Sequence, residues 1–218
     1  MANFSKGKNS LKKRDEILRA AKKLFAELGY EQTSVRKIVE EANTSMGNLY
    51  FHFPHKLSIL KVISKEFITI LRNQITHIHS LNFSPEVGFA LDFRIGYITT
   101  LEDSKLSKLW LVVRNNPEIH QYSLENKRIR LRTFFGNQIP DGELDSLAIA
   151  IQAIADSFFE QKREGNLSDN SVALSNTIID YSLRLLGYSP QRISEVIEEV
   201  EEYIVKHNIT TADYFKNI

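Results

Sequence analysis

Two short stretches spell elements of serine acylation chemistry. Ser10 to Lys13 reads S-x-x-K, and Ser168-Asp169-Asn170 reads S-D-N. The companion K-T-G is missing and no α/β pattern surrounds them, so Ser168 to Asn170 is better read as a helix N-terminus. His52 and His55, and His77 and His79, are the close histidine pairs. The second pair, two apart on a helix, points about 200° apart around its axis, which disfavours a shared metal. Glu198 and Glu202 have chelating spacing but no histidine beside them, and they read as a solvated acidic face. The nine glycines form neither G-x-G-x-x-G nor a phosphate-cradling loop. With no cysteine, disulfides, thiolate metal sites and cysteine nucleophiles are excluded. No catalytic centre, metal or cofactor is therefore expected.

The elements that would carry a binding function are more informative. A chain of 218 residues, 42% of them hydrophobic, is long enough for one large or two small globular domains. Its net charge of +1 hides an asymmetry: residues 1–61 hold 12 basic and 6 acidic side chains, whereas residues 62–218 hold 16 and 21. A basic N-terminal unit on a mildly acidic remainder suits contact of the first unit with a polyanion. The longest apolar stretch, Leu147 to Phe159, is broken by Gln152, Asp156 and Ser157, and Met1 to Ser10 has no apolar core of a leader. A soluble, cytoplasmic protein with no membrane partner is expected.

Hydrophobic spacing predicts an all-α chain. A first helix, about Leu11 to Leu28, carries Ile17, Leu18, Ala21, Leu24, Phe25 and Leu28 on one face, with Gly29 as its C-terminal stop. A short second helix is expected to start with Thr33 as N-cap and to bury Val35, Ile38, Val39 and Ala42. A third spans about Ser45 to Phe51, held by Leu49 and Phe53. A long fourth helix, His55 to about Leu81, is apolar at Leu57, Leu60, Ile63, Phe67, Ile70, Leu71, Ile75 and Ile78. Six more are expected at about 85–102, 105–114, 117–138, 142–164, 169–187 and 190–207.

Two short helices joined by a tight turn make a helix-turn-helix, whose second member enters the ~12 Å wide major groove. Ser45, Met46 and Asn48 lie at its leading end, and Gly47 has no side chain to hold the backbone off DNA. Tyr50, His52 and Lys56 can reach phosphates, as can Thr33 and Ser34 at the start of the second helix.

The run from Arg14 through Ile17, Leu18, Ala21, Leu24 and Phe25 to Gly29-Tyr30, Thr33-Ser34-Val35, Ile38, Ala42 and Ser45-Met46-Gly47-Asn48-Leu49-Tyr50-Phe51-His52-Phe53, with Lys56, resembles the N-terminal domain of the TetR family of bacterial transcriptional regulators. The resemblance covers about residues 11–61. It implies that Thr33, Ser34, Ser45, Gly47, Asn48, Tyr50, His52 and Lys56 contact DNA. Met46 stands where a polar or basic residue is frequent, and suggests apolar contact with a thymine methyl. The family further implies a DNA-binding domain over residues 1–55 and a helical effector-binding and dimerisation domain over 56–218. The implied whole is a homodimeric repressor, bound to a palindromic double-stranded operator and released by a small-molecule effector.

Within the larger region, the helices at 142–164 and 169–187 are apolar on more than one face, so a partner copy is expected to cover Leu147, Ile151, Ile154, Phe158, Leu174, Ile178 and Leu185. Phe89, Phe93 and Tyr97 share one helix face and, with Trp110, His120 and Phe158, form the expected effector pocket. Arg94, Asn116 and His120 are its candidate polar anchors. The rival reading is a helical enzyme or carrier with a basic docking unit, against which the missing catalytic constellation argues.

Overall fold

The computed structural model describes residues 2–102 and 104–209. Among these the chain forms ten α-helices, one turn of 3-10 helix at Gly136–Gln138 and no strand. The first helix, α1 (Ala2–Leu28), starts well before the expected Leu11. Ile17, Ala21 and Phe25 are fully enclosed on its inner face, each large one contributing about 1.5–3 kcal/mol of burial. At its end Gly29 adopts φ +82, a left-handed turn in which its N–H still reaches the carbonyl of Phe25.

Next come α2 (Val35–Glu41) and α3 (Met46–His52), each too short to persist alone. Ile38 and Ala42 anchor α2, Leu49 and Phe53 anchor α3, and the three helices pack on one another. Asn43, at φ 45, makes the turn between them. The cap of α2 is Ser34 rather than Thr33: the Ser34 Oγ accepts from the N–H of Lys37 at 3.2 Å.

The rest runs through α4 (Lys56–His79), α5 (Pro85–Glu102), α6 (Ser104–Asn115), α7 (Pro117–Phe135), α8 (Asp141–Arg163), α9 (Ser171–Leu185) and α10 (Pro190–Lys206). The chain divides into two compact units. One reaches Phe67 and includes Ser104–His120, so that α6 packs on α1 and Trp110 lies 6.2 Å from the Phe67 ring. The other takes Ile68–Asp103 and the chain from Gln121 onward.

In this second unit α5 is enclosed along nearly its whole length, with α9 and α10 packed on it and α8 on α9. Gly88 permits this density, because a Cβ there would sit 2.8 Å from the Phe134 ring. Arg192 of α10 grips Glu86 with two N–H groups at 2.8 and 2.9 Å, tying the last helix to the start of α5. No described helix is long and apolar enough to cross a membrane.

Candidate nucleic-acid interface and ligand site

The face presented by α3 is mostly open. Met46, Gly47, Asn48, Tyr50 and Phe51 are exposed, Phe51 by 76%, while Leu49 alone of that helix is fully inside. Ser45 is its N-cap rather than its first residue, accepting from the N–H of Asn48 at 3.2 Å. The Asn48 amide leans toward the Thr44 hydroxyl at 3.4 Å, a weak contact that leaves it able to turn outward. At Gly47 an added Cβ would meet nothing nearer than the Ser45 Oγ at 3.9 Å. Packing within the chain therefore does not require glycine there, and its bareness matters only to something approaching from outside.

Other members of the expected set are engaged internally. Thr33 is fully buried and its hydroxyl donates to the carbonyls of Gly29 (2.8 Å) and Leu24 (3.1 Å), so it secures the end of α1 instead of reaching a phosphate. Lys56 donates from Nζ to the Tyr30 carbonyl at 2.8 Å, with its ammonium 4.0 Å from the Tyr30 ring centre, and desolvation there lowers its pKa. Its remaining N–H groups are what it can offer an anion. His52 is half-buried between Phe51 and Phe53. Ser34 stays exposed beside Arg36 and Lys37, two cations absent from the expected set although their place in the first turn of α2 was readable.

On α5 the expected aromatic stripe exists: Phe89 and Phe93 lie 6.3 Å apart, and Phe93 and Tyr97 5.5 Å apart with planes 18° from parallel. All three are buried. Trp110 and His120 belong to the first unit, and Phe158 pairs with Tyr181 at 6.2 Å on the α8–α9 surface. Arg94 points to Asn176 and Glu201, serving as a strut between α5, α9 and α10.

Polar groups that periodicity did not single out surround the stripe. Asp92 of α5 is ion-paired with Arg130 of α7 and accepts from Gln74 Nε2 at 2.9 Å. Burial pushes its carboxyl up against the opposing pull of Arg130. The Lys127 ammonium lies 5.2 Å from the Phe93 ring centre, and desolvation together with Arg130 pushes its pKa down to about 7, against the pull of Asp156 and Asp92. Burial, with the Asp156 carboxylate adding, pushes the Tyr97 phenol up. Four buried neutral polar atoms here have no hydrogen-bond partner among the described residues: Gln74 Oε1, Tyr97 Oη, Asn126 Oδ1 and Gln152 Oε1. Leaving such a group unpaired costs about 1–3 kcal/mol. The signal for these residues was in the sequence, since Gln152 and Asp156 interrupt the apolar run of α8 one turn apart.

Along α8 and α9 an open groove is lined by Ala153, Ile154, Ser157, Phe158, Tyr181, Arg184 and Leu185. Ile149, Tyr181 and Leu185 are exposed, and Leu147, Ile154 and Phe158 half-buried. Ile151, Leu174 and Ile178, expected to face a partner, lie instead in the subunit's own core at 1% exposure or less.

Residues 17–63 match the family model described as bacterial regulatory proteins, tetR family. Over 175 residues the chain is 25% identical to the HTH-type transcriptional repressor AcnR of Corynebacterium diphtheriae, covering 72% of this chain and 85% of that protein. Among solved structures, RolR in complex with resorcinol superposes with a TM-score of 0.68 at 17% identity, over 88% of this chain and 95% of RolR. The regulator FadR from Bacillus subtilis, in complex with stearoyl-CoA, superposes at 0.63 with 23% identity, over 77% and 96%. These two likenesses speak to the fold.

Proposed function

We propose that this chain, whose residues 17–63 match the TetR-family model, is a bacterial transcriptional regulator and not an enzyme, and works as a homodimeric repressor in the cytoplasm, bound to a palindromic operator and released by a small-molecule effector. The observation that carries the DNA-reading half is the open face of α3, where a glycine the fold does not need sits between Met46 and Asn48. Residues 1–55 are proposed to bind DNA, and within 56–218 the compact unit formed by Ile68–Asp103 and the chain from Gln121 onward is proposed to bind the effector and to dimerise. Ser34, Ser45, Met46, Asn48, Tyr50 and Lys56 are the contacts proposed, with Thr33 and His52 holding the frame.

The apolar strip of half-buried Leu147, Ile154 and Phe158 with exposed Leu185 supports dimerisation, since a second copy related by a two-fold axis would cover it. Two such readers address half-sites about one helical turn apart, ~34–36 Å, or a multiple of it. An effector acts by binding one arrangement of the dimer better than the other, and DNA affinity falls by that ratio. Selection of bound duplexes from random sequence tests the proposal. A two-fold symmetric site is the expected result, and recovery of no preferred sequence would overturn it.

A further inference from the structure

We propose that the interior of the second unit, between α5, α7 and α8, binds a small uncharged ring compound bearing at least two hydroxyl groups. The inference rests on the effector-responsive reading above and supplies the chemistry of its ligand. Three observations locate the site. Arg130 holds Asp92 of α5, and Asn126 precedes Arg130 by one turn on the same face of α7. Gln152 precedes Asp156 by one turn on α8, and that carboxylate acts on both Tyr97 and Lys127. Lys127 in turn overlies Phe93.

Three features define the ligand. First, the unpartnered neutral atoms are Gln74 Oε1, Asn126 Oδ1, Gln152 Oε1 and Tyr97 Oη, on side chains no more than 8% exposed. Three amide oxygens ask for donors, while a phenol can give or take; an amide turned over would offer N–H instead. A hydroxyl group both donates and accepts, so it meets either orientation, whereas a ketone or an ether meets only one. Second, ionisable groups of both signs are already buried there: Arg130 pairs with Asp92, and the Lys127 ammonium, which the Asp156 and Asp92 carboxylates favour, is disfavoured by desolvation. A further charged group brought by the ligand would meet the same desolvation penalty in the interior. Third, the nearly parallel Phe93 and Tyr97 rings form an apolar wall suited to another flat ring.

The probes are resorcinol, catechol and phloroglucinol, with toluene lacking the hydroxyls and benzoate bearing a charge. Calorimetry reads binding and anisotropy of a labelled operator reads release. At least one of the three polyhydroxylated rings is expected to bind about tenfold or more tighter than toluene and benzoate. Asn126→Leu and Gln152→Leu should each weaken that binding by about tenfold, yet melt at or above the parent in the absence of ligand, because each removes a buried acceptor that nothing satisfies. A purely structural role for these amides predicts the reverse, a lower melting temperature. The proposal is overturned if either variant melts markedly lower, if both retain full affinity, if benzoate or toluene binds as well, or if none of the three rings binds at about 10 mM. Release of operator by some other compound, with these outcomes, would leave the effector reading standing. Tight binding of a hydroxylated ring with unchanged operator affinity would instead uphold the ligand class and refute the release mechanism.

Discussion

The one proton of the Thr33 hydroxyl is shared between the carbonyls of Leu24, near the end of α1, and Gly29, just past it. Thr33→Val keeps the shape and takes the donor from the Gly29 carbonyl, so a thermal melt should register a loss of about 1–3 kcal/mol. Its DNA salt dependence should stay that of the parent, because no phosphate contact is removed. Lys56→Ala should weaken binding to all sequences alike and lower the salt slope by about 1, whereas Asn48→Ala should change which sequence is preferred; titrations at several salt concentrations separate the two. Equal affinity of both variants and parent would refute the assignment. Lys127 carries a pH signature. Its folded pKa of about 7 lies below the ordinary lysine value, so between about pH 7 and 10 the unfolded chain holds a proton that the folded chain lacks, and stability gains with rising pH. Below that window both states are protonated and the full penalty of the enclosed charge applies. Lys127→Met should accordingly raise the melting temperature more at pH 6 than at pH 10, and a pH-independent difference would contradict the desolvated ammonium.

Helix periodicity made nearly every element readable, because one apolar residue per turn is the condition for a helix to find a core. Boundaries were clear where a side chain caps the backbone, as at Ser189-Pro190 and Gly29. Thr33-Ser34 misled because two adjacent hydroxyls compete for the cap, and only the tertiary position of the α1 C-terminus decides between them. The pattern in α8 and α9 had a different limit. Periodicity reports that a face is covered without saying by what, so Ile151 and Ile178, which bury inside the subunit, read the same as Ile154, which stays half-exposed. The polar cluster was legible only in part: Gln152 and Asp156 break an apolar run, whereas nothing in the spacing of α7 marks Asn126 as buried. At this scale α4 makes its own test. It is a continuous helix shared by both compact units, changing from one to the other between Phe67 and Ile68. Thr69→Pro removes one backbone hydrogen bond at that point and costs about 3 kcal/mol or more locally. It should leave DNA binding measurable while abolishing the change in operator affinity on adding effector, a comparison of two binding curves.

For the molecule as a whole, the core and surface positions of α8 and α9 predict opposite failures. Ile154→Glu should give a folded monomer in sedimentation with a melting curve close to the parent's, since a half-exposed position tolerates charge. Ile151→Glu and Ile178→Glu should fail to fold, since each would bury an unpaired carboxylate. A dimeric Ile154→Glu protein would move the partner surface elsewhere. The α8–α9 strip has a consequence for the cell as well. With the proposed two-fold association over this strip, and free chains well below its dissociation constant, the number of paired readers grows as the square of the chain concentration, by mass action. Doubling the gene dose then multiplies operator-competent protein about fourfold, and each division without new synthesis removes it by the same factor. The strength of a hydrophobic seam would thus set how sharply transcription resumes after synthesis of the regulator stops.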